Sequence, residues 1–193
     1  NAFSGTGAVG LYSTSVSTAE ILYYLPNAVS GALFPKVAGL DPETASALTA
    51  RLARIVLMVL LPATALFGWA GTWLIPGIFG KPFQSAVQAF VLLLPGIVGI
   101  ALSKILSADL SGRGKPQYVS YTALITLGVT ISLDLVLIPR WGINGAAVAS
   151  SVAYLSSAVL SALWFCSVTG TRLRQLLVPT GADVELVLRQ ART

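Results

Sequence analysis

Five long apolar stretches run through the chain, separated by short segments rich in glycine, proline and charged residues. A helix needs about 20 predominantly apolar residues to cross a bilayer. The pattern therefore predicts an all-α fold, a polytopic bundle of about five transmembrane helices. The predicted spans are Val9–Phe34, Ile55–Ile75, Ala86–Leu106, Val119–Ile138 and Ile143–Val168.

Only four residues, Pro139 to Gly142, join the last two predicted spans. Proline cannot continue the helix before it, glycine permits a reversal, and tryptophan is typical of the membrane–water boundary. We therefore expect these two helices to be antiparallel neighbours. The second one carries a small residue at every fourth position, which predicts a close packing face. Its members are Gly145, Ala149, Ala153, Ser157 and Ser161.

The composition agrees with a membrane protein. The chain has 193 residues, of which 55% are hydrophobic and 10% charged, whereas a soluble domain is about 25% charged. Its mean hydropathy is +0.80. Histidine is absent and Cys166 is the one cysteine, which excludes a disulfide framework and a thiolate metal site. No pair of carboxylates or nucleophile with a base emerges, so we expect no enzyme and no cofactor.

The formal charge of +5 is explained by the membrane rather than by nucleic acid, because lysine and arginine mark cytoplasmic loops. With a cytoplasmic C-terminus, only Lys81 and Arg140 fall outside. The inside then holds Lys36, Arg51, Arg54, Arg113, Lys115, Arg172, Arg174, Arg189 and Arg192, with Lys104 close by. We expect a multi-pass protein of the cell membrane. The basic, glycine-rich loop at 111–116 fits this topology; phosphate contact is the alternative, although the loop lacks the P-loop pattern.

Two regions follow from these patterns: a transmembrane helical bundle over residues 1–170 and a cytoplasmic amphipathic tail over 171–193. Because the chain begins without methionine or a signal peptide, we expect a fragment of something longer. Asp41 followed by Pro42 predicts a helix start. Thr180 and Asp183 have the spacing of a capping box ahead of an apolar run, which predicts a short surface helix.

The first predicted span carries a polar stripe at spacings of three and four, formed by Ser13, Ser17, Glu20, Tyr24 and Asn27; the last four are the candidate cavity residues. A carboxylate costs about 2.5–3.5 kcal/mol at the centre of a span, so Glu20 should face water, a partner or a cavity. Pro26 frees a backbone carbonyl and should bend the helix. The stripe either lines a cavity or packs against polar residues of a neighbouring helix.

Other polar positions in the spans are candidates for the same cavity. Lys104 and Asp109 lie at the inner end of the third span. The fourth places Asp134 at the end of a row with Thr122, Thr126 and Thr130, four residues apart. Threonine hydroxyls can bond the carbonyl four residues back, and Asp134 can reach water or Arg140. This row is therefore either local structure or part of a function.

Four segments together carry a resemblance to a known family, and it extends over nearly the whole chain to about Pro179. They are GLYSTSVSTAEILYYLPNAVSGALFPKVA (Gly10–Ala38), LIPGIFGKPFQSA (Leu74–Ala86), LPGIVGIALSKILSADLSGRGKP (Leu94–Pro116) and LDLVLIPRWGINGAAVASSVAY (Leu133–Tyr154). They resemble the C-terminal half of the polysaccharide-biosynthesis flippases of the multidrug/oligosaccharidyl-lipid/polysaccharide exporter superfamily. The LIPRWGINGAA run is the most specific part. Family members often have asparagine where this chain has Asp134.

The resemblance implies one lobe of a two-lobed transporter, whose partner lobe would be an N-terminal half missing from this chain. Such proteins move a polyprenyl-diphosphate-linked oligosaccharide to the outer leaflet of the cytoplasmic membrane by alternating access, several with coupling to an ion gradient. Hydroxyl, amide and aromatic groups such as Ser17, Tyr24 and Asn27 would replace the water of the sugar, and Glu20 would bind H⁺ or Na⁺. A multidrug or small-molecule exporter and a membrane scaffold of glycan synthesis remain alternatives.

Overall fold

The computed structural model describes residues 6–181 and residue 183. All regular elements within them are helical, which confirms the predicted all-α class. In chain order the α-helices are α1 (Thr6–Ala19), α2 (Tyr24–Gly39), α3 (Pro42–Phe79), α4 (Ala86–Gly112), α5 (Pro116–Thr169) and α6 (Leu173–Leu177). Two 3₁₀ turns, Glu20–Tyr23 and Lys81–Ser85, precede α2 and α4.

Three helical segments of the described chain are long and apolar enough to cross a membrane: Pro42–Phe79, Lys81–Gly112 and Pro116–Thr169. This number differs from the predicted five for two reasons. The first predicted span is divided by the 3₁₀ turn at Glu20–Tyr23 into helices of 14 and 16 residues. The last two predicted spans are both present, as two helical arms joined at the non-helical residue Gly142 within the single segment Pro116–Thr169.

The interruption between α1 and α2 has a local cause. Pro26 has no N–H to donate to the carbonyl of Leu22, four residues earlier, and Leu22 lies inside the 3₁₀ turn. A 3₁₀ turn satisfies the backbone with bonds three residues apart and keeps the chain helical. The predicted irregularity of this segment therefore falls one turn before Pro26.

The segment α5 consists of two antiparallel helical arms that form a hairpin. The rings of Tyr118 and Trp164 stack with centroids 5.0 Å apart, and Gly145 lies directly against the carbonyl of Leu137. Both pairs are centred on residue 141, so the arm before Gly142 and the arm after it run side by side. Gly142 has φ 56° and ψ −130°, a region that only glycine adopts readily. The predicted reversal is thus confirmed, with Pro139 still inside the helix and the non-helical backbone at Gly142 alone.

Helix α4 is the centre of the bundle and touches α1, α2, α3 and α5. Of its most apolar stretch, 67% is buried, against 28% in α3. Glycines permit the close approach: a Cβ at Gly96 would lie 2.7 Å from the Cα of Ser151, and one at Gly99 would lie 3.0 Å from the Cα of Leu155. All five members of the predicted small-residue row on α5 are buried, so that packing face is confirmed. In lipid, such close contact is what holds helices together.

The two ends of the bundle differ in their polar contacts. At one end Arg113 donates to the carbonyl of Pro42 and to the hydroxyl of Ser46, at 3.2 and 2.9 Å. Asp41 caps α3 there, accepting from the Thr44 N–H at 2.9 Å as its sequence predicts. At the other end Asn144 donates to Gln88 at 3.0 Å. The basic residues of the 111–116 loop and Arg140, beside the Gly142 turn, therefore lie at opposite ends.

The tail segment is fastened to α3 by a carboxylate. Asp183 is 1% exposed and accepts from the Arg54 Nε at 2.7 Å. It also accepts from the Thr180 N–H and hydroxyl at 2.9 and 2.6 Å, one half of the predicted capping box. The Arg54 hydrogen bond holds the pKa of the Asp183 carboxyl well below its usual value, and the Thr180 bonds add to this effect. The helix predicted beyond Asp183 lies outside the described residues.

Candidate functional site

A cavity of about 880 Å³ lies between α2, α4 and the first arm of α5. Most of its polar lining consists of serine and threonine side chains, and we call it the hydroxyl groove. The serine and threonine residues are Ser30, Ser103, Ser107, Ser111, Thr122, Thr126, Thr130 and Ser157. Among helices as apolar as these, such a lining offers hydrogen-bonding groups to the polar part of a ligand.

The hydroxyls of the groove differ in whether they are already bonded. Thr122 and Thr130 donate to the carbonyls of Tyr118 and Thr126, at 3.0 and 2.9 Å, which is the internal bonding expected of threonine in helices. Ser103 bonds Ser161 at 2.8 Å. Thr126 Oγ1 and Ser157 Oγ are buried without a hydrogen-bond partner in the described chain. The predicted threonine row is therefore both local structure and groove lining.

Lys104 is the one charged residue that lines the groove in the part of the chain that the structure describes. Its Nζ lies 5.8 Å from the centre of the Tyr23 ring, over the face that attracts cations. No carboxylate in the described residues pairs with it. The groove thus offers a single positive charge among neutral hydroxyl and amide groups.

The predicted stripe on the first span lines a second cavity. Ser17, Glu20, Tyr24 and Asn27 surround about 410 Å³ together with Tyr23, and we call this space the carboxylate cavity. All four are exposed on the bundle surface, Tyr24 by 75%. Within the described residues, no side-chain hydrogen bond joins them to a neighbouring helix. In contrast, Tyr12 and Ser15 point into the bundle and bond Ser150 and the Ala86 carbonyl, at 2.9 and 2.8 Å.

Tyr23 stands between the two spaces. Its side chain lines the hydroxyl groove, the carboxylate cavity and a pocket of about 160 Å³ that Glu20 also lines. Asn27 is shared by the groove and the carboxylate cavity. The structure therefore brings four predicted residues and Lys104 into adjoining cavities, with Tyr23 as the boundary that sequence reasoning did not single out.

Asp109 lies elsewhere. It is fully buried, accepts from the Thr49 hydroxyl at 2.7 Å and forms an ion pair with Arg113 at 2.6 Å. Lys104 and Asp109 are five residues apart, and at 3.6 residues per turn they point about 140° apart around the helix. Lys104 therefore faces the groove, while Asp109 faces α3 and does not line the groove.

Asp134 is also outside the cavities described above. It is half-buried on the first arm of α5, and no ion pair with Arg140 forms in the described part of the chain. The three threonines of the same row line the groove, so the row leaves it between Thr130 and Asp134.

The largest addition to the sequence-based site is on α4. Ser103, Ser107 and Ser111 recur at every fourth position and face the groove with Lys104. This periodicity was a usable signal, although small residues at that spacing in an apolar helix are also typical of packing faces. No group of His, Cys, Asp and Glu side chains within the described residues is arranged to hold a metal ion.

Comparison with known proteins gives a distant relative. The chain is 26% identical over 168 residues to an uncharacterized membrane protein of Methanocaldococcus jannaschii, in an alignment that covers 84% of this chain. The alignment covers 33% of the relative, so the chain spans about a third of that protein's length. No protein-family model matches the chain. No solved structure matches it. The long apolar helices and the similarity to this membrane protein together identify the chain as a membrane protein.

Proposed function

We propose that the chain is one lobe of a transporter that moves a polyprenyl-diphosphate-linked oligosaccharide across the cell membrane, with its C-terminal tail in the cytoplasm. The observation that carries the proposal is the hydroxyl groove: about 880 Å³ lined by serine and threonine side chains and one lysine, inside helices that are otherwise apolar. The resemblance of four segments to polysaccharide-biosynthesis flippases supports the same conclusion, and the membrane protein relative is consistent with it.

The chemistry of such a substrate suits the groove. A sugar head group is too polar to enter hydrocarbon, because every hydroxyl that loses water there without a new partner is unfavourable. Groove hydroxyls supply new partners, while the polyprenyl chain stays among the lipid tails outside the bundle. The ammonium of Lys104, which has no carboxylate partner in the described chain, attracts the diphosphate.

Glu20 would contribute the energy coupling. Its carboxylate lies in the carboxylate cavity next to Tyr23, and Tyr23 adjoins the groove. Binding of H⁺ or Na⁺ to Glu20 changes the charge beside this boundary, which biases the equilibrium between states in which the groove opens to one side or the other.

Orientation follows from the distribution of charge. The end of the bundle that carries Arg113 and the tail holds most of the basic residues, whereas Lys81 and Arg140 lie toward the other end. Cytoplasmic loops of membrane proteins carry the excess of lysine and arginine, so the tail end faces the cytoplasm.

The test uses the intact gene in its native host. The gene is deleted, and a leaflet-selective glycan probe reports where the lipid-linked oligosaccharide collects. Collection on the cytoplasmic face, reversed by the restored gene, supports translocation. A normal amount on the outer face contradicts it and favours an exporter of small molecules or a scaffold.

A further inference from the structure

Two hydroxyl groups of the hydroxyl groove are buried and have no partner within the described chain, namely Thr126 Oγ1 and Ser157 Oγ. Ser157 is only 3% exposed. A buried hydroxyl without a hydrogen bond is unfavourable, and native proteins pair nearly all of them. Helical Thr and Ser side chains commonly bond the carbonyl four residues back, as Thr122 does, and these two do not.

The two residues lie on opposite arms of the α5 hairpin and line one space, and both hydroxyl oxygens are buried in its wall. Thr126 belongs to the first arm and Ser157 to the second, and both line the same groove. One turn beyond Ser157, the hydroxyl of Ser161 is already bonded to Ser103 at 2.8 Å. Ser103, one member of that bonded pair, lines the groove together with Thr126 and Ser157, whose hydroxyls have no partner in the described chain.

The chemistry of these groups indicates what would bind them. Each hydroxyl has one donor hydrogen and two acceptor lone pairs. A partner that can both donate and accept hydrogen bonds therefore satisfies it most completely. Phosphate and carboxylate only accept. No acidic side chain lines the groove in the described residues, and Lys104 is its one charge. The volume of about 880 Å³ is in the range of small-molecule pockets, about 300–1,000 Å³.

We infer that Thr126 and Ser157 form a subsite for the hydroxyl groups of a neutral sugar ring. The inference rests on the proposed function and refines it, because it separates the place where the sugar is recognised from Lys104, which is suited to the diphosphate. It also places sugar recognition on α5 instead of on the exposed stripe of Ser17, Tyr24 and Asn27.

The experiment compares two probes on the purified protein made from the intact gene. One probe is a short-chain polyprenyl diphosphate carrying one N-acetylglucosamine, and the other is the same polyprenyl diphosphate without the sugar. We expect Ser157→Ala and Thr126→Val each to weaken binding of the sugar-bearing probe by about 2- to 12-fold, the worth of one hydrogen bond. Binding of the sugar-free probe should not change.

Matched controls are available on the same helix. Ser156 and Ser132 donate to the carbonyls of Val152 and Gly128, both at 2.8 Å, and do not line the groove. Ser156→Ala and Ser132→Ala should bind both probes like the wild type. Thr126→Ser keeps a hydroxyl and should restore binding of the sugar-bearing probe. Because the removed hydroxyls have no partner in the described chain, Ser157→Ala and Thr126→Val should have unfolding temperatures no lower than that of the wild type.

Two results would overturn the subsite: wild-type protein that binds both probes equally, or variants that lose both probes to the same degree. The second result would indicate a packing role. Translocation is measured separately, with the sugar-bearing probe in vesicles. Sugar-dependent binding without translocation would contradict the proposed function but would still support the subsite. Translocation that is unchanged in the Thr126 and Ser157 variants would support the proposed function and contradict the subsite.

Discussion

The carboxylate of Asp109 accepts a hydrogen bond from the Thr49 hydroxyl at 2.7 Å, and this contact joins α4 to α3 inside the bundle. The other charge of the cluster is Arg113, four residues later and just past the end of α4, at 2.6 Å from the same carboxylate. Arg113 in turn reaches the first turn of α3 through Pro42 and Ser46. Asp109 is thus the centre of a buried cluster that fixes two helices at one end of the groove.

Removal of this carboxylate should cost much stability. Asp109→Asn leaves the Arg113 guanidinium, only 12% exposed, without its counter-charge, and breaking a buried ion pair in this way costs about 3–5 kcal/mol. Thermal unfolding in detergent measures the loss. Asp134→Asn is the control, because Asp134 has no ion pair in the described chain and should change stability by less than about 0.5 kcal/mol. Equal stability of the two variants would show that the Asp109 cluster is not formed.

Close contact between α4 and α5 gives a second prediction. A Cβ at Gly96 would meet the Cα of Ser151 at 2.7 Å, so Gly96→Ala must push the helices apart and should destabilise the bundle by about 1–3 kcal/mol. Gly128→Ala on α5 meets no atom within 4 Å and should be neutral or stabilising by up to about 1 kcal/mol, because alanine favours helix. Thermal unfolding distinguishes them, and a stable Gly96→Ala would contradict the packing.

The attachment of the tail should depend on pH. Because its pKa in the folded protein is lowered by Arg54, Asp183 stabilises the fold fully above the unfolded-state pKa of about 3.9. That stabilisation is lost as the pH falls below this value. Asp183→Asn should therefore be less stable than the wild type at pH 7, by about 1.5–3 kcal/mol for a hydrogen bond to a charged group. The difference should shrink toward pH 3.

Thermal unfolding of both proteins over this pH range is the measurement. Asp41→Asn is the control, since asparagine caps a helix about as well as aspartate, and it should match the wild type at pH 7. A difference between Asp183→Asn and the wild type that stays constant from pH 7 to pH 3 would refute the role of the ionised carboxylate.

Glu20 gives a prediction about energy coupling. Glu20→Gln keeps the size and polarity of the side chain and removes its charge from the carboxylate cavity, so glycan export should fall several-fold and lose its dependence on the ion gradient. Glu43→Gln is the control, because Glu43 lies in the first turn of α3, away from the cavities that Glu20 lines. Export is measured in a strain with the gene deleted. If Glu20→Gln leaves both export and its dependence on the ion gradient unchanged, Glu20 does not couple export to the gradient.

Much of the fold could be predicted from the sequence, since long apolar runs, capping residues and a row of small residues each have one dominant structural meaning. The number of spans could not be predicted as easily. A proline without an N–H can either bend a helix or interrupt it, and the sequence around Pro26 does not decide between the two, so the 3₁₀ turn at Glu20–Tyr23 could not be predicted. The two predicted spans on either side of Gly142 are present as the two arms of α5.

The site was harder to predict than the fold. The stripe from Ser17 to Asn27 could be found because polar residues are rare in spans and share one face. Ser103, Ser107 and Ser111 were missed because serine suits both packing faces and cavities. Asp109 was grouped with Lys104 by proximity along the chain, whereas the side of α4 that each one faces depends on where α3 and α5 pack.

If the hydroxyl groove is a path for a polar head group, it must admit water within the membrane. Ala123 lines the groove, while its neighbour Leu124 is 66% exposed on the outer surface of α5 and does not line it. With Cys166→Ala as background, Ala123→Cys and Leu124→Cys are each treated with a charged, membrane-impermeant thiol reagent in native membranes. We expect the groove cysteine to react at least about tenfold faster, because only a hydrated thiol forms the reactive thiolate. Equal protection of both positions would contradict this role of the groove.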